Sequence, residues 1–289
     1  MIFREDGSIW FRQSWLDTAT RCGERGRFAI TLPEWDAATS DSALIGTAAH
    51  AAIEAVLREK IPATVEAIEW EARTAALELC NTEQVKWTKY STPGECAANA
   101  ARCATAWLEG LFPDVQLGGH AEVQFEVPLF TRPNGRVVGI TGTADYVDPP
   151  GTDYDITDWK TSARKFTQRD KQATAIQPTV YAAAAVNGGF SHVTDRKFEY
   201  PIRWRYGIMV RGERKATPQW VDVQRTSGSY GWLIDQLNVW VDMAEKMGVD
   251  GHWPRQDDHF LCSDRWCAWW SACKGARLSE PEVRWRGRS

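Results

Sequence analysis

Three predicted strands in the middle of a mostly helical chain limit the fold most strongly. Residues 122–127 (EVQFEV) alternate between polar and apolar side chains, which predicts a half-buried strand. Asn134-Gly135 is a strong hairpin-turn signal, so a second strand is expected over about 136–147. A third strand is expected over about 153–161. The chain must therefore build its core around a sheet.

Helices are predicted on both sides of these strands. The expected helices span about 10–20, 41–60, 63–90, 94–110, 168–188 and 229–247, and two later strands span about 202–210 and 219–225. Pro178 should begin or kink the helix in which it lies. This order of elements predicts a mixed α/β (α+β) fold, with a central mixed β-sheet flanked by helices.

The composition is that of an ordinary water-soluble protein. Of 289 residues 43% are hydrophobic, and the formal net charge is -4 at pH 7. No run of about 20 apolar residues occurs, so no membrane span is expected, and the N-terminal MIFREDGSIW lacks the apolar core of a secretory signal. We expect a cytoplasmic protein with reduced cysteines. The negative charge excludes a non-specific nucleic-acid coat, so a nucleic-acid site would have to be local.

We expect a single domain over residues 1–289. Its parts would be a helical part (about 10–115), a sheet core (about 120–225), and a C-terminal helix with a cysteine cluster (229–275).

The segment DITDWKT (155–161) places an acid and a base two residues apart in a predicted strand. Alternate residues of a strand share a face, so Asp158 and Lys160 should point the same way and Trp159 the opposite way. Asp145, near the end of the preceding strand, can approach Asp158 if the two strands are antiparallel neighbours. Two carboxylates at close range repel unless a cation lies between them. A solvent-facing ion pair and a metal site both fit this pattern.

Two further features fit such a site, although each has an ordinary alternative. Gln177 and Tyr181 are four residues apart and share one face of their predicted helix, but an isolated pair of this kind is usually amphipathic surface. His50 lies in the Ala-rich GTAAHAAIE, where a packed histidine is more common than a metal ligand.

Three cysteines in the C-terminal CSDRWCAWWSAC indicate a soft-metal site. Cys262, Cys267 and Cys273 are dense enough, in a reducing compartment, to favour iron–sulfur or zinc. Either group needs four ligands, and Cys22 is the candidate fourth if the two chain ends meet. The paired C-x2-C spacing of a zinc ribbon is absent from the sequence.

Taken in order, these segments resemble those of the PD-(D/E)XK nuclease superfamily. The likeness is greatest to its RecB-like branch with an iron–sulfur cluster, which includes CRISPR-associated and phage exonucleases. The resemblance spans residues 14–273 and rests on SWLDTATRCGERGRF, GTAAH, GTADYVD, DITDWKT, QPTVY and the C-terminal cysteines. It implies a restriction-endonuclease-like core that hydrolyses phosphodiester bonds with Mg²⁺ or Mn²⁺.

The resemblance gives each candidate at the acidic site a role. Lys160 would position or deprotonate the attacking water. The implied metal ligands are His50, Asp145, Asp158 and the backbone carbonyl of Trp159. Gln177 and Tyr181 match the Q-x-x-x-Y element near the site. Glu122 matches an acidic position on the preceding strand, but it is one of three polar residues on its face.

The resemblance also implies a [4Fe–4S] cluster that joins the two ends of the chain. The matching ligands are Cys22, Cys262, Cys267 and Cys273. Linking residues 22 and 262 closes a long loop, so we expect the cluster to be structural. Gly23 departs from the family pattern, in which proline often follows the first cysteine.

The implied substrate is DNA, single-stranded or with free ends, in phage or bacterial recombination, replication or repair. Residues 203–215 (RWRYGIMVRGERK) and 162–171 (SARKFTQRDK) supply local positive charge, and tryptophan beside arginine suits base stacking as well as core packing. No G-x-x-x-x-G-K-[ST] occurs, so a helicase or recombination partner would be a separate chain.

Three alternatives compete with the nuclease prediction. One is a catalytically silent DNA-binding or assembly module of the same fold, against which the intact Asp145, Asp158 and Lys160 count. Another is a zinc-stabilised protein without nuclease activity. The third is an unrelated hydrolase, for which the sequence contains neither G-x-S-x-G nor H-E-x-x-H.

Overall fold

The computed structural model describes residues 1–33, 38–90, 92–258, 261–264 and 266–275. Its centre is a mixed seven-stranded sheet, which confirms the predicted fold class. The strands of this sheet are β1 (Ile2–Phe3), β2 (Ile9–Arg12), β5 (His120–Thr131), β6 (Val137–Val147), β7 (Ile156–Ser162), β8 (Ile202–Val210) and β9 (Thr217–Arg225). A separate pair consists of β3 (Thr39–Ser40) and β4 (Val85–Lys86).

Helices cover both faces of the sheet. Those in the described ranges are α1 (Gln13–Arg21), α2 (Gly23–Thr31), α3 (Asp41–Leu57), α4 (Val65–Thr82), α5 (Pro93–Gly110), α6 (Gln168–Thr174), α7 (Gln177–Val186) and α8 (Ser227–Met247). One hydrophobic core packs α1, α7 and α8 against one face, and a second packs α3, α4 and α5 against the other. None of the described helices is long and apolar enough to cross a membrane.

Strand β6 organises the sheet because it contacts three other strands. Antiparallel β5 pairs along one edge of β6, and a hairpin at Asn134-Gly135 joins the two strands, as predicted. On the other edge, parallel β2 pairs with residues 138–141 and antiparallel β7 pairs with residues 146–147. In the described part of the chain, residues 142–145 have no strand on that edge. The sheet is therefore open beside Asp145.

Several predicted boundaries are wrong at the N-terminal side. The helix predicted from residue 10 begins at Gln13, because the apolar run before it forms β2 and fills the core. The sheet therefore also takes in β2, which overlaps the segment predicted to be helical. The chain continues as α2 through Gly23, where an added Cβ would lie 2.9 Å from the carbonyl oxygen of Pro254. This close approach explains the glycine that follows Cys22.

Two of the longer predicted helices are also shorter in the structure. The one predicted over 63–90 ends at Thr82 and is followed by β4. The one predicted over 168–188 is divided into α6 and α7, and Pro178 lies in the first turn of α7. A proline is tolerated there because the first N–H groups of a helix have no intrahelical acceptor.

Asp41 anchors the start of α3, the helix that carries His50. Ser40 caps the helix by accepting a hydrogen bond from the N–H of Ala43. The buried carboxylate of Asp41 instead accepts hydrogen bonds from the backbone N–H groups of residues 88–90 and from the hydroxyl of Thr88. Although burial opposes the change, these bonds hold the pKa of Asp41 below its usual range.

Asp41→Asn should lower the free energy of unfolding by about 3 kcal/mol at pH 7, because buried N–H donors lose a charged acceptor. Since the folded-state pKa is depressed, the contribution of Asp41 is complete above about pH 4 and is lost as the pH falls further. Urea denaturation measures both effects. Asp235→Asn, at an exposed position of α8, is the control. Equal stability of the two variants would contradict the anchoring role.

Candidate active site

The acidic site lies where β6 and β7 separate. Within the described ranges the two strands share two residue pairs, Tyr146–Thr157 and Val147–Ile156. One step further, the same register would place Asp145 opposite Asp158. There Oδ2 of Asp145 accepts a hydrogen bond from the backbone N–H of Trp159 at 2.8 Å. The two strands are antiparallel neighbours. Where the next backbone hydrogen bond between them would form, the carboxylate of Asp145 is the acceptor in place of a backbone carbonyl.

Asp158 is fully buried and held by two side chains. Lys160 forms an ion pair with its Oδ2, and Gln177 donates a hydrogen bond from Nε2 to its Oδ1 at 2.5 Å. The Nζ of Lys160 also donates to the backbone carbonyl of Trp159 at 3.2 Å. The side chain of Lys160 is 31% exposed, whereas that of Asp158 is 0% exposed. The lysine is therefore the member of the pair that a substrate can reach.

Trp159 points to the opposite face of the sheet, as strand alternation predicts. Its ring centroid lies 5.6 Å from that of Trp107 in α5 and 5.8 Å from that of Trp220 in β9. Its ladder partner on β8 is Gly207, where an added Cβ would lie 2.5 Å from the indole. This packing fixes the backbone between the acid and the base.

His50, Glu122 and Asp145 bring their metal-ligating atoms together. One such atom from each lies within 4.8 Å of the other two, and Nδ1 of His50 is 3.7 Å from Oδ2 of Asp145. A ring nitrogen and two carboxylates, from α3, β5 and β6, form a donor set that suits Mg²⁺ or Mn²⁺. Asp158, also predicted as a ligand, lies outside this set of three. The Trp159 carbonyl, another predicted ligand, accepts the hydrogen bond from Lys160.

Glu122 reaches this site through an irregular backbone. The residues on either side of it pair with those on either side of Asp145, so the two acids lie opposite each other. Its φ of +51° lies in the left-handed region, which is uncommon for a residue other than glycine. Such strain often occurs at functional sites. Alternation alone could not distinguish Glu122 from the other polar residues on its strand.

Arg58 is a residue near this site that the sequence analysis missed. It donates a hydrogen bond from its guanidinium group to the carbonyl of Ala121 at 2.9 Å, and so ties α3 to β5. It also pairs with Glu54 at 3.0 Å. His50, Glu54 and Arg58 follow one another at intervals of four residues, which places them on one helix face. That spacing was the available signal.

The crowded carboxylates change the proton affinities of the site. Burial, and then the charge of Asp145, raise the pKa of Glu122 to about 7. The same two causes raise the pKa of Asp158. Burial lowers the pKa of His50, so its imidazole is neutral at pH 7 and can offer a lone pair. A divalent cation among these groups would relieve the repulsion.

Tyr181 lies one turn after Gln177 in α7 and is packed in the core. Its ring centroid is 5.1 Å from that of Phe125 and 5.2 Å from that of Trp204. Gln177 reaches an acid of the site directly, as described above, whereas Tyr181 supports the sheet beneath it. The predicted helical pair therefore divides into one polar contact and one packing contact.

The two basic segments differ in exposure. Residues 202–210 form β8, where Trp204 is fully buried and Arg205 is 5% exposed and paired with Asp148 at 3.4 Å. The expectation of surface charge from residues 203–215 is therefore wrong for Arg205, whereas Arg203 on the same strand is exposed. By contrast, the segment after β7 exposes Arg164, Lys165 and Arg169. Its charge is available to a ligand.

The four predicted cluster cysteines line one small cavity between the ends of the chain. They are Cys22, Cys262, Cys267 and Cys273. The ends meet because α2 packs on the C-terminal segment: Phe28 lies in one apolar cluster with Trp269, whose indole N–H donates to the carbonyl of Leu32 at 2.8 Å. The backbone N–H of Glu24 also donates to the carbonyl of Pro254 at 3.2 Å.

Of three comparisons with known proteins, the family model is the one that identifies the chain. No curated protein sequence matches the chain. A solved structure titled "Crystal structure of SSO0001" is 14% identical and aligns over 96% of this chain and 90% of that one, with a TM-score of 0.37, too low for a comparison of sites. The family model described as PD-(D/E)XK nuclease superfamily matches residues 13–274. The chain therefore belongs to the PD-(D/E)XK nuclease superfamily, whose members are metal-dependent nucleases.

Proposed function

We propose that the protein is a metal-dependent deoxyribonuclease, an exonuclease that acts on single-stranded or end-bearing DNA. The observation that carries the proposal is the meeting of His50, Glu122 and Asp145 beside the Lys160–Asp158 pair. A donor set for a hard cation thus lies next to an exposed ammonium group. Hydrolysis of a phosphodiester requires both an activated water and positive charge near the phosphate.

His50, Glu122 and Asp145 suit a divalent cation, because without one the two acids among them repel each other. Two of them are acids that face each other across β5 and β6, and burial, followed by their repulsion, raises the pKa of Glu122. Bound there, Mg²⁺ or Mn²⁺ supplies positive charge to the scissile phosphate and lowers the pKa of water. His50 contributes its neutral ring without adding charge of its own.

Lys160 carries the protein's own part of the chemistry. Its ammonium group is partly exposed, and the ion pair with Asp158 and the hydrogen bond to Trp159 hold it in position. It can therefore orient the attacking water or stabilise the negative charge that develops on the phosphate. Gln177 fixes Asp158 from the other side, so it acts as a positioning residue.

The choice of substrate rests on the surface beside the site. The exposed basic segment that follows β7 begins two residues after Lys160, so a phosphate backbone bound there would pass the fork between β6 and β7. A strand with a free end could enter the opening along residues 142–145 of β6. A helicase or recombination partner would be a separate protein.

We also propose that the four cysteines bind a structural [4Fe–4S] cluster, as in the RecB-like branch. All four line one cavity between α2 and the C-terminal segment, and the sequence lacks the paired C-x2-C spacing of a zinc ribbon. In a four-iron cluster each cysteine would bind a different iron.

Lys160→Ala should reduce DNA cleavage at least about a hundredfold, because the charge beside the phosphate is lost. End-labelled single- and double-stranded DNA, incubated with Mg²⁺, Mn²⁺ or EDTA and separated on a gel, gives the rate, the metal dependence and the polarity. Lys246→Ala, at an exposed position of α8, should leave the rate unchanged. If wild type leaves every substrate intact, the catalytically silent module replaces the nuclease proposal.

Mg²⁺ or Mn²⁺ should raise the melting temperature more at pH 8 than at pH 6. Glu122 must be ionised to bind the cation, and its pKa is about 7. Because this folded-state pKa is raised, the metal-free protein loses stability as the pH rises from about 4.5 toward 7. The cation reverses that loss. Thermal melting at several pH values measures the difference.

Glu122→Gln should lose most of this metal-induced shift and its pH dependence. The control is Glu126→Gln on the same strand, an exposed acid paired with Arg4, which should respond like wild type. A Glu122→Gln protein that metal stabilises as strongly as wild type would remove Glu122 from the ligand set.

Protein prepared without oxygen should be brown and contain about four iron atoms per chain. Cys267→Ser should lose the visible absorbance and melt at a lower temperature, because the chain ends are no longer joined. Cys80→Ser, on α4 and away from the cavity, should keep both properties. One zinc atom and no iron, by metal analysis, would contradict the cluster.

A further inference from the structure

Lys171, on α6, places a second ammonium group near Asp158, the buried acid at the point where β6 and β7 separate. Its Nζ lies 3.8 Å from the ring centroid of Phe166 and 5.5 Å from that of Tyr206. Tyr206 is the ladder partner of Asp158 on β8, so the lysine stands over the strand pair that carries the acid. The exposed segment after β7 ends in this helix.

Two glutamines hold α6 against the edge strand β9. Gln168 accepts a hydrogen bond from the N–H of Asp222 at 3.1 Å and donates to the carbonyl of the same residue. Gln172 does the same with Gln224, at 2.9 and 3.0 Å. Each side-chain amide thus reproduces the pair of bonds that a neighbouring strand would make. Lys171 lies between these two anchors.

Arg225 fixes the end of the same helix. Its buried guanidinium group donates hydrogen bonds to the carbonyls of Lys171, Gln172 and Ala175. The side chain of Lys171 therefore projects from a backbone that is held on two sides. Fixed placement of this kind reduces the entropy lost when a ligand is bound.

The surroundings of Lys171 favour the binding of an anionic group from a ligand. Within the described part of the chain, no carboxylate lies at ion-pair distance from its Nζ. The acids whose charge acts on its pKa are Asp17 of α1 and then Asp158, and Asp17 is paired with Arg21 at 2.9 Å. Burial, and then the charge of Lys160, lower the pKa of Lys171. An arriving phosphate would stabilise both ammonium groups.

We propose that Lys171 binds a phosphate of the DNA strand adjacent to the bond that is cut beside Lys160. The rings of Phe166 and Tyr206 lie beside the ammonium group, and its N–H donors bind the phosphate. This inference rests on the proposed function and adds a substrate-binding residue to it. Lys160 serves the reaction, and Lys171 sets the register of the strand.

Lys171→Met removes the charge and keeps the stem that packs on the rings. Binding of a labelled single-stranded oligonucleotide is measured by fluorescence anisotropy in EDTA over a range of salt concentrations. The Kd should rise about tenfold, and the slope of log Kd against log salt should fall by about 0.7. Cleavage with Mg²⁺ should show a raised KM and a kcat within about twofold of wild type. A merely structural role would not change the salt slope.

Lys171→Arg should keep the slope of wild type, and so should Lys246→Met, the control at an exposed position of α8. If Lys171→Met does not melt cooperatively, Lys171→Gln provides the comparison. An unchanged Kd and slope in the folded variant would overturn the role of Lys171 alone. Wild type that binds DNA but does not cleave it would instead overturn the proposed function, while the salt slope would still test the phosphate contact.

Discussion

The hydrogen bond from the N–H of Trp159 to the carboxylate of Asp145 is the interaction on which the rest of the site depends. It closes the fork between β6 and β7 with a side chain where a backbone carbonyl would continue the ladder. The strands can then part without leaving a buried N–H unpaired. Asp145 consequently approaches His50 and Glu122, whereas the buried Asp158 is paired with Lys160 and Gln177.

This separation gives the three acids different tasks. Asp145 and Glu122 lie close to His50, and the three form a donor set for a metal ion. Asp158 instead pairs with the ammonium group of Lys160 and accepts a hydrogen bond from the amide of Gln177. The resemblance to the nuclease superfamily implies that Asp158 is also a metal ligand, which stays a prediction. In the structure Asp158 pairs with Lys160 beside the group formed by His50, Glu122 and Asp145.

Much of this arrangement could be predicted from the sequence because it depends on local rules. Strand alternation placed Asp158 and Lys160 on one face with Trp159 behind them, and Asn134-Gly135 gave the hairpin that brings β5 to β6. What the sequence could not provide depends on tertiary contacts. The left-handed backbone of Glu122 has no sequence signal in a non-glycine residue. The glutamines that dock α6 on β9 look like ordinary surface until β9 is known to be an edge.

The most direct test of the account is anomalous diffraction from crystals soaked with Mn²⁺. The account predicts a manganese peak at about 2.0–2.4 Å from Nδ1 or Nε2 of His50 and from carboxylate oxygens of Glu122 and Asp145. Lys160 should remain paired with Asp158 beside it. A peak bound by Asp158 in place of Glu122, or no peak among these residues, would contradict the assignment of the metal site.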